Sequence, residues 1–172
     1  MWCAVHVKDG EEVRAEAFVS GLLPKSLNAR CFHITRNRRK KFGGEWQTIH
    51  ETLFPGYVFV TTDQPERVHK ELKQASKPRL LFSSDECVST LKEHEAEFIE
   101  QITGDGKSSR IGEIAVSKVK VTDTGRVECL SGPLRNVGGM VKKVNLHKRI
   151  AEVEADFMGQ KQALYLGIEI ER

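Results

Sequence analysis

Leu53-Phe54-Pro55-Gly56-Tyr57-Val58-Phe59-Val60 sets a turn breaker inside an aromatic and β-branched run. Val58, Phe59 and Val60 read as a strand, because branched and aromatic side chains pack well on a pleated sheet. Pro55-Gly56 starts or bends that strand. Proline withholds a ladder donor, and glycine lets a second backbone come close. Phe54 and Tyr57 flank the bend. Two further landmarks give the run its context: Trp2 near the start, and Ser131-Gly132-Pro133-Leu134 with Gly138-Gly139 near the end.

Outward from this strand the pattern alternates. Residues 2–7 read as a strand ended by Asp9-Gly10. From Glu11, Val13, Ala17, Phe18 and Leu22 recur at helical spacing as far as Pro24, with Glu11 and Glu12 where carboxylates suit the positive end of the helix dipole. Residues 29–35 read as a second strand. Arg36-Asn37-Arg38-Arg39-Lys40-Lys41 and Gly43-Gly44 then predict a long basic hairpin tip leading into 46–50. Asp63 caps a predicted helix with Pro65 near its first position and Val68 and Leu72 facing inward, ending before Pro78. Residues 79–82 read as a short strand. Residues 89–102 read as a helix that buries Leu91, Phe98 and Ile102, and Gly104-Asp105-Gly106 ends it. Residues 107–124 read as a linker with extended character at Ile111, Ile114, Val116, Val119 and Val121.

From Gly125 the pattern is all β, with strands at 126–130, 140–144, 150–155 and 163–166. Turns fall at Gly132-Pro133, Gly138-Gly139, Asn145-Leu146-His147 and Met158-Gly159. Short, evenly spaced strands predict a small barrel. The expected fold class is an α+β N-terminal domain (an antiparallel sheet with flanking helices) over 1–104, a linker over 105–123, and a small all-β barrel over 124–172.

The 172 residues, 39% hydrophobic and 30% charged, suit globular domains and not a disordered chain. The apolar runs are too short to span a bilayer and Met1-Trp2-Cys3 shows no leader pattern, so the expected location is cytoplasmic with no membrane partner. A net charge of +3 is mild, and its clustering says more than its size. Cys3, Cys31, Cys87 and Cys129 lack zinc spacing and read as reduced, mostly buried small hydrophobes. The six histidines show no ligand spacing. Cys31-Phe32-His33 puts two polar groups on one strand face without a third orienting group. Gly104-Asp105-Gly106 is not followed by a lysine-threonine pair, and no Gly-rich phosphate loop is read there. Glu93, Glu95, Glu97 and Glu100 read as an exposed helix face. No catalytic constellation, metal or cofactor is expected.

The three landmarks, in their order, resemble the NusG family of transcription elongation factors. The N-terminal match is residues 2–7, the helix after them and Phe54–Val60. The C-terminal match is Val127-Glu128-Cys129-Leu130-Ser131-Gly132-Pro133-Leu134, then Gly139, Val141, Val144, Lys148-Arg149, Ala151-Glu152-Val153 and Phe157-Met158-Gly159, which resembles a KOW domain. The resemblance implies a five-stranded KOW barrel and a monomeric, non-enzymatic factor. It also implies that the N-terminal domain binds the clamp helices of the bacterial RNA polymerase β′ subunit through Phe54 and Tyr57, with Trp2 packing nearby. For these aromatics the plain alternative is core packing. Cys31-Phe32, the Arg36–Lys41 run and Gly44-Glu45-Trp46 further resemble LoaP-type paralogs, antiterminators of long operons that bind an RNA hairpin in the nascent transcript. His33-Ile34 departs from that pattern where a proline is expected.

Two basic clusters are the candidate nucleic-acid sites. Arg36, Arg38, Arg39, Lys40 and Lys41 suit phosphates of DNA or RNA at the transcription bubble, or form an ordinary solvated tip. Phe42 and Trp46 could stack on unpaired bases or staple the hairpin across its strands. Arg135, Lys142, Lys143, His147, Lys148 and Arg149 lie in or beside turns of the barrel and suit an RNA hairpin. The alternatives are a housekeeping NusG whose KOW domain contacts Rho or a ribosomal protein near Phe157, and a KOW protein of ribosome assembly.

Overall fold

The computed structural model describes residues 1–75, 87–104 and 111–171. The strand expected at 79–82 and the Asp105-Gly106 stop lie outside these residues. In chain order the described elements are β1 (Trp2–His6), α1 (Glu12–Leu22), β2 (Arg30–Phe32), β3 (Thr35–Phe42), β4 (Glu45–Thr52), β5 (Tyr57–Thr61), α2 (Pro65–Gln74), β6 (Val88–Thr90), α3 (Glu93–Thr103), β7 (Glu113–Ile114), β8 (Ser117–Val121), β9 (Val127–Ser131), β10 (Val141–Asn145), β11 (Ile150–Phe157) and β12 (Gln160–Ile170). Mixed α+β architecture is therefore present. The chain divides into two units, Met1–Ile34 with Phe54–Ala96, and Thr35–Leu53 with Glu97–Arg172.

The first unit is built on an antiparallel sheet in the order β2-β5-β1-β6. Period-two alternation sends Cys3, Val5, Val58 and Val60 to one face, where they pack with Ala15 and Val19 of α1 and Val68 and Leu72 of α2. The opposite face carries aromatic rings. Pro55-Gly56 forms the centre of a tight turn closed by Tyr57 N–H donating to the Phe54 carbonyl at 3.2 Å. Gly56 sits at φ 85°, the conformation that a type II turn demands and glycine supplies. A Cβ there would lie 2.6 Å from the Asp9 carboxylate.

Glu12 ties this turn to the start of α1. Its Oε1 accepts from Gly56 N–H at 2.8 Å and Gly10 N–H at 3.2 Å. Burial alone would raise this carboxyl, but the Gly56, Glu12 and Gly10 N–H groups outweigh it and hold it below the usual 4.5. The first-turn carboxylate thus links two loops as well as meeting a helix dipole.

Two expectations change at α3. Ser89 and Thr90 belong to β6, paired with Ala4 and Cys3, and the helix begins only at Glu93. Glu95 is not on an exposed face: at 3% exposure its Oε1 accepts from Lys92 N–H at 2.9 Å, capping the helix start.

In the second unit β3 and β4 form a hairpin, and β7 joins β3 in parallel. The basic run lies within β3 itself, paired from Arg36↔Glu51 to Phe42↔Glu45. The tip is only Gly43-Gly44, both with positive φ, as a two-residue hairpin turn requires. A five-stranded sheet follows in the order β10-β11-β12-β8-β9, with β8 parallel to β12. The described part of the expected linker thus supplies β7 and β8. Ala151, Val153, Ala155 and Phe157 alternate inward along β11. Gly132 has φ 98°, and a Cβ there would lie 2.6 Å from Ser117 Cα. The Ser117 hydroxyl accepts from Leu134 N–H at 3.0 Å. The Ser131–Leu134 signature is therefore the clasp between β8 and the end of β9. Gly167 lets β12 meet β3, where a Cβ would stand 2.2 Å from the Asn37 carbonyl oxygen.

Candidate functional site

The aromatic residues singled out in the sequence gather on the second face of the first unit's sheet. Trp2 stands edge-on to Phe32 at 5.4 Å between ring centroids, and to Phe59 at 6.3 Å. His6 stacks on Tyr57 at 5.1 Å and 12°. The β1–β5 register causes this, because it sets His6 directly opposite Tyr57. Trp2, His6 and Tyr57 are half-buried. Phe54 is not at the surface. It is 3% exposed, its ring edge-on to Phe59 at 5.5 Å, so it supports the face from within. His6 belongs to this face and was missed, because strand pairing is not visible in either strand alone.

The basic residues of β3 do not act alike. The Arg36 guanidinium donates to Glu51 at 2.9 and 3.1 Å and to the Tyr165 carbonyl of β12, so it fastens the hairpin to that strand. Arg39 donates to Thr48 Oγ1 at 2.8 Å and the Trp46 carbonyl at 3.1 Å, and so braces the hairpin. Arg38 lies 3.6 Å from Glu51, while its buried Nε–H has no hydrogen-bond partner. An unmet buried donor costs about 1–3 kcal/mol. Lys40 lies over the Phe42 ring at 5.5 Å and Lys41 over the Trp46 ring at 5.9 Å.

The turn from β10 to β11 brings the second cluster alongside. Asn145 Oδ1 accepts from Lys148 N–H at 2.9 Å, and Arg149 adopts φ 56°. Its guanidinium donates to the Leu146 carbonyl and lies over Trp46, 4.7 Å from the ring centroid. A cleft of about 360 Å³ results, lined by Arg38, Arg39, Lys40, Lys41, Trp46, His147, Lys148 and Arg149. A second, of about 380 Å³, is lined by Arg36, Arg38, Lys143, Asn145, Lys148, Ile150, Glu152 and Tyr165. Arg38 and Lys148 wall both. Arg135 and Lys142 line neither: Arg135 donates to the Leu130 carbonyl at 3.3 Å, and Lys142 is exposed on β10.

Three of the four thiols are held toward the protonated form. Burial pushes the Cys31 thiol up to about 12, despite a hydrogen bond with Ser20. Burial likewise raises Cys3 and Cys129. Cys129 is only half-buried. The buried His33 is held by Glu16, the orienting carboxylate that sequence spacing did not supply. Among the described residues no His, Cys, Asp and Glu group could hold a metal ion, and no helix is long and apolar enough to cross a membrane.

No protein-family model matches this chain. No curated protein matches it. Among solved structures, the chain is similar to Thermotoga maritima NusG, described as showing domain interaction, with a TM-score of 0.46 and 19% identity over 96% of this chain and 92% of that chain.

Proposed function

We propose that this protein is a NusG-type transcription elongation factor of the LoaP-like, antiterminating kind. Its N-terminal domain, residues 1–104, docks on the clamp helices of bacterial RNA polymerase, and its KOW barrel, residues 124–172, holds an RNA hairpin of the nascent transcript. The basic hairpin faces DNA at the transcription bubble. The protein acts in the cytoplasm as a monomer, without a cofactor.

The observation that carries this reading is the set of half-buried rings of Trp2, His6 and Tyr57 on one face of the two inner strands. Half-buried aromatics on a rigid sheet are the usual anchors of a protein interface. They fall within the two N-terminal segments that resemble NusG. A factor that prefers the closed clamp shifts the polymerase away from the state that releases RNA. A tether to leader RNA raises its local concentration beside that polymerase.

The test is single-round transcription by bacterial RNA polymerase through an intrinsic terminator, with the full chain added. Increased read-through supports the reading; unchanged termination together with no binding to polymerase overturns it. Occupancy on the native chromosome separates the specialised from the general factor. Enrichment over one or a few long operons supports the former, and enrichment over most transcribed genes the latter. For the general form, the C-terminal contact would fall to Met158, 36% exposed, because Phe157 is only 2% exposed.

A further inference from the structure

We infer that β3 and the β10–β11 turn form one groove for a single unpaired nucleic-acid strand, in place of two separate sites. This rests on the nucleic-acid part of the proposed function and changes its terms: hairpin and barrel share a ligand. The two clefts meet at Arg38 and Lys148, and each belongs jointly to the hairpin and the barrel. Volumes of about 360 and 380 Å³ sit at the lower end of ligand-sized sites, roughly 300–1,000 Å³. Volumes of this size suit successive nucleotides of one strand. The cleft around Trp46 has cations and no acidic side chain in its lining, so it attracts phosphate.

Trp46 supplies what phosphate contacts cannot. The Arg149 guanidinium lies over its ring, 4.7 Å from the centroid, and occupies a place where the flat face of a base could stack on the indole. An unpaired base takes that place, and the displaced guanidinium turns to the adjoining phosphate. Bases inside a duplex cannot offer a face this way. One strand at a time therefore fills the groove, so an RNA segment and a DNA segment compete for it.

The experiment measures binding of the full chain to labelled twelve-nucleotide oligo(U), oligo(dT) and an RNA duplex of the same length, across a salt series. The inference expects both single strands to bind at least tenfold more tightly than the duplex and to displace one another. Lys41→Ala on the hairpin and Lys148→Ala on the turn are both exposed changes. Each should weaken oligo(U) several-fold and lower the salt slope by roughly 0.7, the value for one phosphate contact on a single strand. Trp46→Ala should lose roughly 5- to 150-fold, the range for one stacked base. Arg149→Gly suits the positive φ and should lower the slope while keeping most of the stacking. Loss from Lys148→Ala with none from Lys41→Ala overturns the shared groove but leaves RNA binding by the barrel standing. Equal binding of duplex overturns the stacking role. If oligonucleotides do not bind while polymerase docking persists, the groove falls and the polymerase reading stands.

Discussion

The two units present different chemistry on their strands, five residues long in β1 and β5 and eight in β3. In the first unit, β1 and β5 carry apolar residues toward the helices and aromatic rings on the other face, where Trp2, His6 and Tyr57 stay half-buried. In the second, β3 carries arginine and lysine, each held to a different degree by a neighbour. The first surface is aromatic, with His6 stacked on Tyr57. The second is cationic and notched by two clefts. What separates them is mostly which residues alternate along a strand, because the pleat offers the same two faces in both.

The largest effect is expected at Gly132. A methyl at this positive-φ position meets the Ser117 backbone, so Gly132→Ala should cost about 3–5 kcal/mol, summing strain and overpacking. Hydrogen exchange should show loss of protection in β8 and β9 while β1 and β5 keep theirs. Uniform loss across both units would mean that the two do not behave as separate folding units.

Tyr57→Ala sharpens the aromatic half. Removal of an interface anchor should weaken polymerase binding by about 2–3 kcal/mol, or roughly 30- to 150-fold, and leave oligonucleotide affinity unchanged. An unchanged polymerase affinity would remove this face from the interface.

Much of this was legible in the sequence, but unevenly. The Phe54–Val60 strand and its turn were readable because proline, glycine and branched residues each act locally. The length of β3 was not: six consecutive polar residues look like a tip, and only pairing with β4 makes them a strand. Ser89 and Thr90 read as helical until β1 claims them as a sheet edge. Both basic clusters were visible, but their convergence on Trp46 was not, because it depends on the close passage of β12 at Gly167. Sequence counts charges, and only the fold shows that Arg36 and Arg39 are already engaged, that Lys40 and Lys41 remain exposed, and that Arg135 and Lys142 line neither cleft.

Glu12 offers a smaller test. Glu12→Gln should cost the first unit about 2 kcal/mol at neutral pH, the scale of hydrogen bonds to a charged acceptor. Its folded value lies below the usual 4.5. The stabilisation is therefore complete above that pH and fades as pH falls through the lowered value. The gap between wild-type and variant urea midpoints should close in acid. A gap that stays constant with pH would show that the ionised carboxylate is not what binds the two turns.

The smallest expected effects are at Arg135 and Lys142. Arg135→Ala and Lys142→Ala should each change oligo(U) affinity by less than about 0.5 kcal/mol, as surface changes usually do. Losses equal to those of Lys41→Ala would mean that charge in general, and not the groove, holds the ligand.

The contact of Arg36 with Tyr165 spans 129 residues of chain. A ribosome adding about 5–20 residues per second makes Arg36 roughly 6–26 seconds before Tyr165. During that interval Arg36 has its Glu51 partner but not its β12 anchor, and the cationic strand has no groove to complete. The newborn chain is thus a basic ribbon beside RNA-rich machinery. Glu51, only 15 residues from Arg36, is made long before Tyr165 and lowers the net charge of the ribbon while it waits.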